Sequence, residues 1–134
     1  MKLFFSASIR GGRQLITTYE YIVGFLRSQD HTVLSEHVAM QNLDKAEATM
    51  TEQKIFQKDI NWIEESDRMI AEVTVPSIGV GYEICHAVFN GKPVLCVYKE
   101  DTKTSAMVLG NKDVTTKSYL NLKELENILK EFLA

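Results

Sequence analysis

Residues 68–98, RMIAEVTVPSIGVGYEICHAVFNGKPVLCVY, decide how the rest of the chain is read. Arg68–Val73 is an apolar run of strand length, and Pro93–Tyr98 is another. Between them Pro76-Ser77-Ile78-Gly79 breaks the first run, and Gly81–Phe89 then reads as a helix. Strand, helix, strand is a crossover unit. It implies parallel pairing, because parallel neighbours cannot be joined by a tight turn.

The alternation continues in both directions. Towards the N-terminus, Lys2–Ser6 reads as a strand. Arg13–Arg27 follows as a helix with Leu15, Tyr19, Ile22, Val23 and Leu26 at helical spacing. Thr32–Leu34 is a short strand, and Leu43–Glu65 a long polar helical region carrying Ile55, Ile60, Trp62 and Ile63. Towards the C-terminus, a short strand near Ser118–Leu120 leads into an amphipathic helix, Leu122–Leu133. Asn121 is its expected N-cap, with Glu124 at capping-box spacing. Crossovers are right-handed and cover both sheet faces. The expected fold is therefore α/β, an open parallel five-stranded sheet with helices on both faces, in one domain over residues 1–134. Ligands in such sheets sit outside the carboxyl ends of the strands, near a topological switch point.

Composition narrows the function classes. The chain has 134 residues, 45% hydrophobic and 25% charged, with net charge −3. That fits one globular domain and is too apolar for a disordered tail. Cys85 and Cys96 stand in apolar contexts with no CxxC and no paired His. Neither a disulfide scaffold nor a zinc site is expected, and a reduced, cytoplasmic chain is. No apolar run approaches the roughly 20 residues of a membrane span. Met1-Lys2-Leu3-Phe4-Phe5 meets Arg10 and Arg13 too soon for a signal peptide. A mildly acidic chain suits no nucleic-acid polymer, whereas a small anion can still find a locally positive site. His31 and His86 show no ligand spacing, so no metal is expected, nor any cofactor.

Three segments carry chemistry. The first is Ser6-Ala7-Ser8-Ile9-Arg10-Gly11-Gly12-Arg13, after the first strand. Its glycines free the backbone to aim N–H groups at a ligand, and a helix start plus two arginines adds positive charge. This suits a phosphate; a solvated βα turn would look the same. It is not a P-loop, lacking GxxxxGK[ST]. The second is Thr74–Glu83. Gly79 and Gly81 form a weak GxG signal. Glu83, read as lying in the first helical turn, is a candidate carboxylate nucleophile towards an anomeric carbon, or simply an acid stabilising the helix start. Ser77 is a cap or a phosphate donor. The third is Asp59, which would raise one pKa of a pair if brought near Glu83, or else is a solvated helix acid. Trp62 is read as core, His37 as a ligand contact or a structural histidine, and Lys45–Lys58 as a solvated face of mixed sign.

With those segments in view, the chain resembles the 2′-deoxynucleoside 5′-phosphate N-hydrolases, within the nucleoside 2-deoxyribosyltransferase family. The motifs are Ser8-Ile9-Arg10-Gly11-Gly12-Arg13, Glu36-His37-Val38, Asp59 with Trp62, Ala71-Glu72-Val73-Thr74, Pro76–Glu83 and Ser105-Ala106-Met107. The resemblance implies a Rossmann-like, flavodoxin-type sandwich. It implies that Glu83 attacks C1′ of the sugar and releases the base, and that Asp59 positions and assists it. It implies a 5′-phosphate cradle of Ser8, Arg10, Gly11, Gly12, Arg13, Ser77 and Gly79, with Phe4, Ile9 and His37 at the substrate. Ser105 would enter the phosphate site of a neighbouring subunit, making the partner a second copy of the chain. The arginines favour hydrolysis of a nucleoside monophosphate over base exchange between free nucleosides. The alternatives are a nucleoside 2-deoxyribosyltransferase and a nucleotide-binding module without turnover. One position departs: such N-hydrolases commonly carry a tyrosine where this chain has Phe4, so deoxy- and ribonucleotides both stay open.

Overall fold

A computed structural model describes residues 1–9, 15–39 and 47–134. Its strands are β1 (Lys2–Ala7), β2 (Thr32–Val33), β3 (Arg68–Glu72), β4 (Val94–Lys99) and β5 (Thr115–Tyr119). Its helices are α1 (Ile16–Ser28), α2 (Glu52–Glu65), α3 (Ile78–Phe89), α4 (Ala106–Leu109) and α5 (Leu122–Leu133), with a 3₁₀ turn at Glu36–Ala39. All strand pairs are parallel, in the order β2-β1-β3-β4-β5. This is the flavodoxin-type order, as expected. The chain winds from β1 outward to β2, then crosses back to β3, so the switch point lies between β1 and β3.

Alternation along the strands builds two cores, one per face. Leu3, Phe5, Ile70, Leu95 and Val97 face one way and pack with Tyr19, Ile22 and Leu26 of α1 and Leu125 and Leu129 of α5. Phe4, Met69, Ala71, Val94 and Cys96 face the other way and pack with Ile63 of α2 and Val80, Ile84 and Ala87 of α3. The closing helix runs where expected, and Asn121 accepts from Glu124 N at 2.9 Å.

Several boundaries differ from expectation. The polar region does not run as one helix to Glu65. Extended Thr51 caps a fresh helix, accepting from Lys54 N, while residues 40–46 lie outside the described part. Strand β2 stops at Val33 because a side chain takes over its pairing. Buried Ser35 accepts from Phe5 N at 2.8 Å and donates to Phe5 O at 2.7 Å. Ser35→Ala leaves both groups of Phe5 unsatisfied in the core. It is expected to lower stability by about 1–3 kcal/mol, read as a reduced urea midpoint at unchanged slope. The last strand begins at Thr115, earlier than expected. Its sequence Thr-Thr-Lys-Ser-Tyr is mostly exposed, as an edge strand can be, so it lacks an apolar run. Cys85 is exposed rather than apolar-bound, whereas Cys96 is buried, and both are free. Among the described residues no helix is long and apolar enough to cross a membrane.

Candidate active site

At the switch point the carboxyl ends of β1 and β3 border a cleft of about 330 Å³, within the usual size range of ligand pockets. Among the described residues it is lined by Ala7 at the end of β1 and Ile9 just after it, by Ile55, Phe56 and Asp59 on α2, and by Ser77, Gly79, Val80 and Glu83 at the start of α3. Glu47 and Glu52 complete it.

Helix α3 is placed by a capping serine and a buried anchor. Ser77 is extended, and its side chain accepts from Val80 N at 3.3 Å. Upstream, the buried Glu72 carboxylate accepts from Thr74 N at 2.7 Å, from Thr74 Oγ1 at 2.8 Å and from the Tyr119 hydroxyl of β5. Thr74 Oγ1 in turn accepts from Lys99 N at the end of β4. The loop that delivers Ser77 is thus tied to three strands. A Cβ on Gly79 would meet only Ser77 Oγ, at 3.9 Å. The space beside this helix N-terminus is open to an approaching group, and its free N–H donors favour an anion.

The helix starts at Ile78, not Gly81, so Glu83 is its sixth residue and sits in the second turn. The helix dipole fades beyond the first turn. It therefore does not hold Glu83 ionised, as the sequence reading expected. Burial pushes the Glu83 carboxyl up to about 7, opposed by the hydroxyl of Ser6, which donates to Oε1 at 2.7 Å, and reinforced by the Asp59 and Glu47 charges. Burial also pushes Asp59 up to about 6, with Lys58 opposing. Asp59 Oδ1 is buried with no hydrogen-bond partner among the described residues.

The other expected site residues fall as follows. Ile9, Ser77 and Gly79 line the cleft with the two acids. Ser8 is fully buried at the end of β1. Arg10, Gly11, Gly12 and Arg13 lie outside the described residues. Phe4 is 1% exposed, belongs to the core under α3, and is not among the lining residues. His37 is also absent from the lining. Its ring packs 5.1 Å from that of Trp62, and its Nε2 lies 3.9 Å from the Glu47 carboxylate. Ser105 caps α4, accepting from Met107 N, and lines a second groove that shares Ser77 and Val80 with the cleft. Two residues escaped the sequence reading. Ser6 is a hydroxyl inside an apolar strand, which was the available signal. Glu47 is not on a solvated face: its side chain is 10% exposed and meets Lys58 Nζ at 3.4 Å.

The sequence profile of the nucleoside 2-deoxyribosyltransferase family matches residues 3–122. The chain belongs to that family. Relatives of this nucleoside 2-deoxyribosyltransferase-family protein include one from Methanococcoides burtonii, 51% identical over 83% of this chain and 91% of its own. It carries the provisional name 2′-deoxynucleoside 5′-phosphate N-hydrolase 1. A Danio rerio protein named 5-hydroxymethyl-dUMP N-hydrolase is 40% identical over 98% of this chain and 95% of its own. Among solved structures, the Clostridium botulinum CMP N-glycosidase BcmB superposes with TM-score 0.73 at 22% identity, covering 97% of this chain and 99% of that one. This last likeness concerns the fold alone.

Proposed function

We propose that this chain, as one domain, hydrolyses the N-glycosidic bond of nucleoside 5′-monophosphates, deoxy or ribo, giving free base and sugar 5-phosphate. One observation carries the reading. Glu83 and Asp59 line the same cleft as the α3 N-terminus and Ile9, the last described residue before the arginine turn. A mononucleotide gripped at its phosphate by that turn, Ser77 and Gly79 then presents C1′ to Glu83. The names of the relatives agree with this chemistry.

The Glu83 carboxylate bonds to C1′ as the C1′–N bond breaks. The electron pair leaves with the base, which takes a proton from solvent or a neighbouring group. Water then attacks C1′, the Glu83–C1′ bond breaks with its electron pair returning to the carboxylate, and the water's proton passes to Asp59 in the same cleft or to solvent. Asp59, in the same cleft, assists Glu83 by taking up and passing on protons. The nucleophile must be ionised, and it gains its proton as pH falls through about 7. kcat/KM is therefore expected to decline on the acid side with an apparent midpoint near there, rather than near the ordinary carboxylate value. A pH–rate profile on one good substrate checks this.

The partner is a second copy of the chain. Ile78 of α3 and Met107 of α4, 95% and 85% exposed, line the groove that holds Ser105, and Phe89 at the other end of α3 is 86% exposed, a heavy apolar load on these two helices. Covering this face with a second copy would bring Ser105 to the neighbouring phosphate site. Sedimentation should give a dimer that Phe89→Asp with Ile78→Asp dissociates; a native monomer would refute it. A nucleoside monophosphate substrate favours a cytoplasmic location. The decisive assay is chromatography of a panel of deoxy- and ribonucleoside monophosphates with a second free base present. Free base with sugar phosphate means hydrolysis, a new nucleoside means transfer, and tight binding without turnover means a binding module.

A further inference from the structure

Ser6 is 1% exposed, on the penultimate position of β1. Side chains alternate along a strand, so Ser6 shares with Phe4 the face turned towards α2 and α3. Every other residue of that face in the sheet centre is apolar: Phe4, Met69, Ala71, Val94 and Cys96. A hydroxyl placed there costs stability unless it is hydrogen-bonded. Among the described residues Ser6 has one side-chain partner, Glu83 Oε1, at 2.7 Å across 77 residues of sequence. The same bond is the one hydrogen bond of the Glu83 carboxylate among those residues. Among the described residues, the other charged groups lining the cleft, Asp59, Glu52 and Glu47, are acids that would repel the carboxylate rather than hold it, and Lys58 is engaged with Glu47.

We propose that Ser6 is the positioning residue of this site: by holding Oε1 it turns the Glu83 carboxylate so that Oε2 is the oxygen that attacks C1′. This rests on the N-hydrolase reading above. In the first step the Oε2–C1′ bond forms while the C1′–N bond breaks, and the electron pair departs with the base. Oε1 becomes the ester carbonyl oxygen and keeps the Ser6 hydrogen bond, so the serine proton is never transferred. In the second step water attacks C1′, the Oε2–C1′ bond breaks, the water's proton passes to Asp59 or to solvent, and the carboxylate returns to the same hydrogen bond. The geometry is therefore preserved through both steps, and no side-chain reorganisation is needed at the moment of reaction.

The test compares Ser6→Ala and Ser6→Thr with the native chain on one nucleoside monophosphate, each variant checked for folding by thermal unfolding. Ser6→Ala is expected to lower kcat by about ten- to a hundredfold with KM within about twofold, because the phosphate grip does not use Ser6. A hydroxyl donated to a carboxylate favours its charged form. Removing it should therefore move the acid limb of kcat/KM upward, by about one pH unit. Ser6→Thr keeps the hydroxyl on a residue suited to a strand, and should hold the native limb and stay within about threefold of native kcat. Native kcat and an unmoved limb in Ser6→Ala would overturn the proposal. So would equal losses in the alanine and threonine variants, which would mean packing alone. A native chain that releases no base would instead overturn the N-hydrolase reading, and this proposal with it. An active native chain, silenced by Glu83→Gln but left at native kcat and with an unmoved limb by Ser6→Ala, overturns the proposal alone.

Discussion

Glu83→Gln will abolish base release and leave a folded protein that is more stable than the native one above neutral pH. Loss of a covalent nucleophile typically removes about ten-thousandfold or more of turnover. The glutamine keeps the size of the side chain and an oxygen for the Ser6 hydroxyl, so folding should survive. The stability gain follows from the proton balance. Burial raises Glu83 from its ordinary 4.5 to about 7. Between those values the folded chain holds a proton that the unfolded chain has released. Native stability therefore falls as pH rises through that window, and stays lower above it. Asp59, raised from 3.8 to about 6, acts in the same direction. The variant carries no charge at this position and escapes the first loss, by on the order of 1–2 kcal/mol after allowing for partial solvent access. Urea unfolding at pH 5 and pH 8 measures it: the two proteins should differ little at the lower pH and clearly at the higher. An active glutamine variant, or one less stable at pH 8, would contradict the role given to burial.

Removing the phosphate will cost less than removing the nucleophile but more than any other change to the substrate's grip. A bare nucleoside should be cleaved several hundredfold less efficiently than its 5′-monophosphate. Each charge-assisted bond to phosphate is worth about 1.5–3 kcal/mol, and two or three of them reach that ratio. The double variant Arg10→Ala with Arg13→Ala should lose the discrimination, its kcat/KM on the nucleotide dropping towards the native value on the nucleoside. Chromatographic rates with both substrates on both proteins give the four numbers required. Equal native rates on nucleoside and nucleotide would remove the phosphate cradle from the mechanism.

What the sequence made legible was whatever depends on local pattern. The apolar runs at 2–6, 68–73 and 93–98 gave the strands, and their separation by helical spacing gave parallel pairing. Asn121 with Glu124 gave the start of the last helix, because a cap is a local hydrogen bond. The start of α3 was missed by three residues although its signal was local too. The sequence shows Ser77 as a cap or phosphate donor but reads Ile78 and Gly79 as part of the break before the helix, whereas the serine side chain already closes the first turn. That shift moves Glu83 out of the first turn, and burial, which no local pattern announces, pushes its carboxyl up instead.

What stayed hidden depends on contacts between distant elements. The Ser6–Glu83 bond exists only once β1 and α3 pack on one sheet face. Glu47 reads as one charge in a mixed run, and only the fold turns it inward towards Lys58 and His37. Ser35 replaces strand pairing with a side chain, which no alternation pattern announces. Phe4 follows the reverse course. It was placed at the substrate by resemblance, yet strand alternation alone would have sent it to the same core as Met69 and Ala71.

Acid-quenching the enzyme within its first turnover on a nucleoside monophosphate, followed by peptide mass mapping, asks whether Glu83 bonds to the sugar. One sugar-phosphate adduct should appear, on the peptide containing Glu83, at a rate no slower than base release. Base released at full rate with the adduct on another residue would contradict the mechanism.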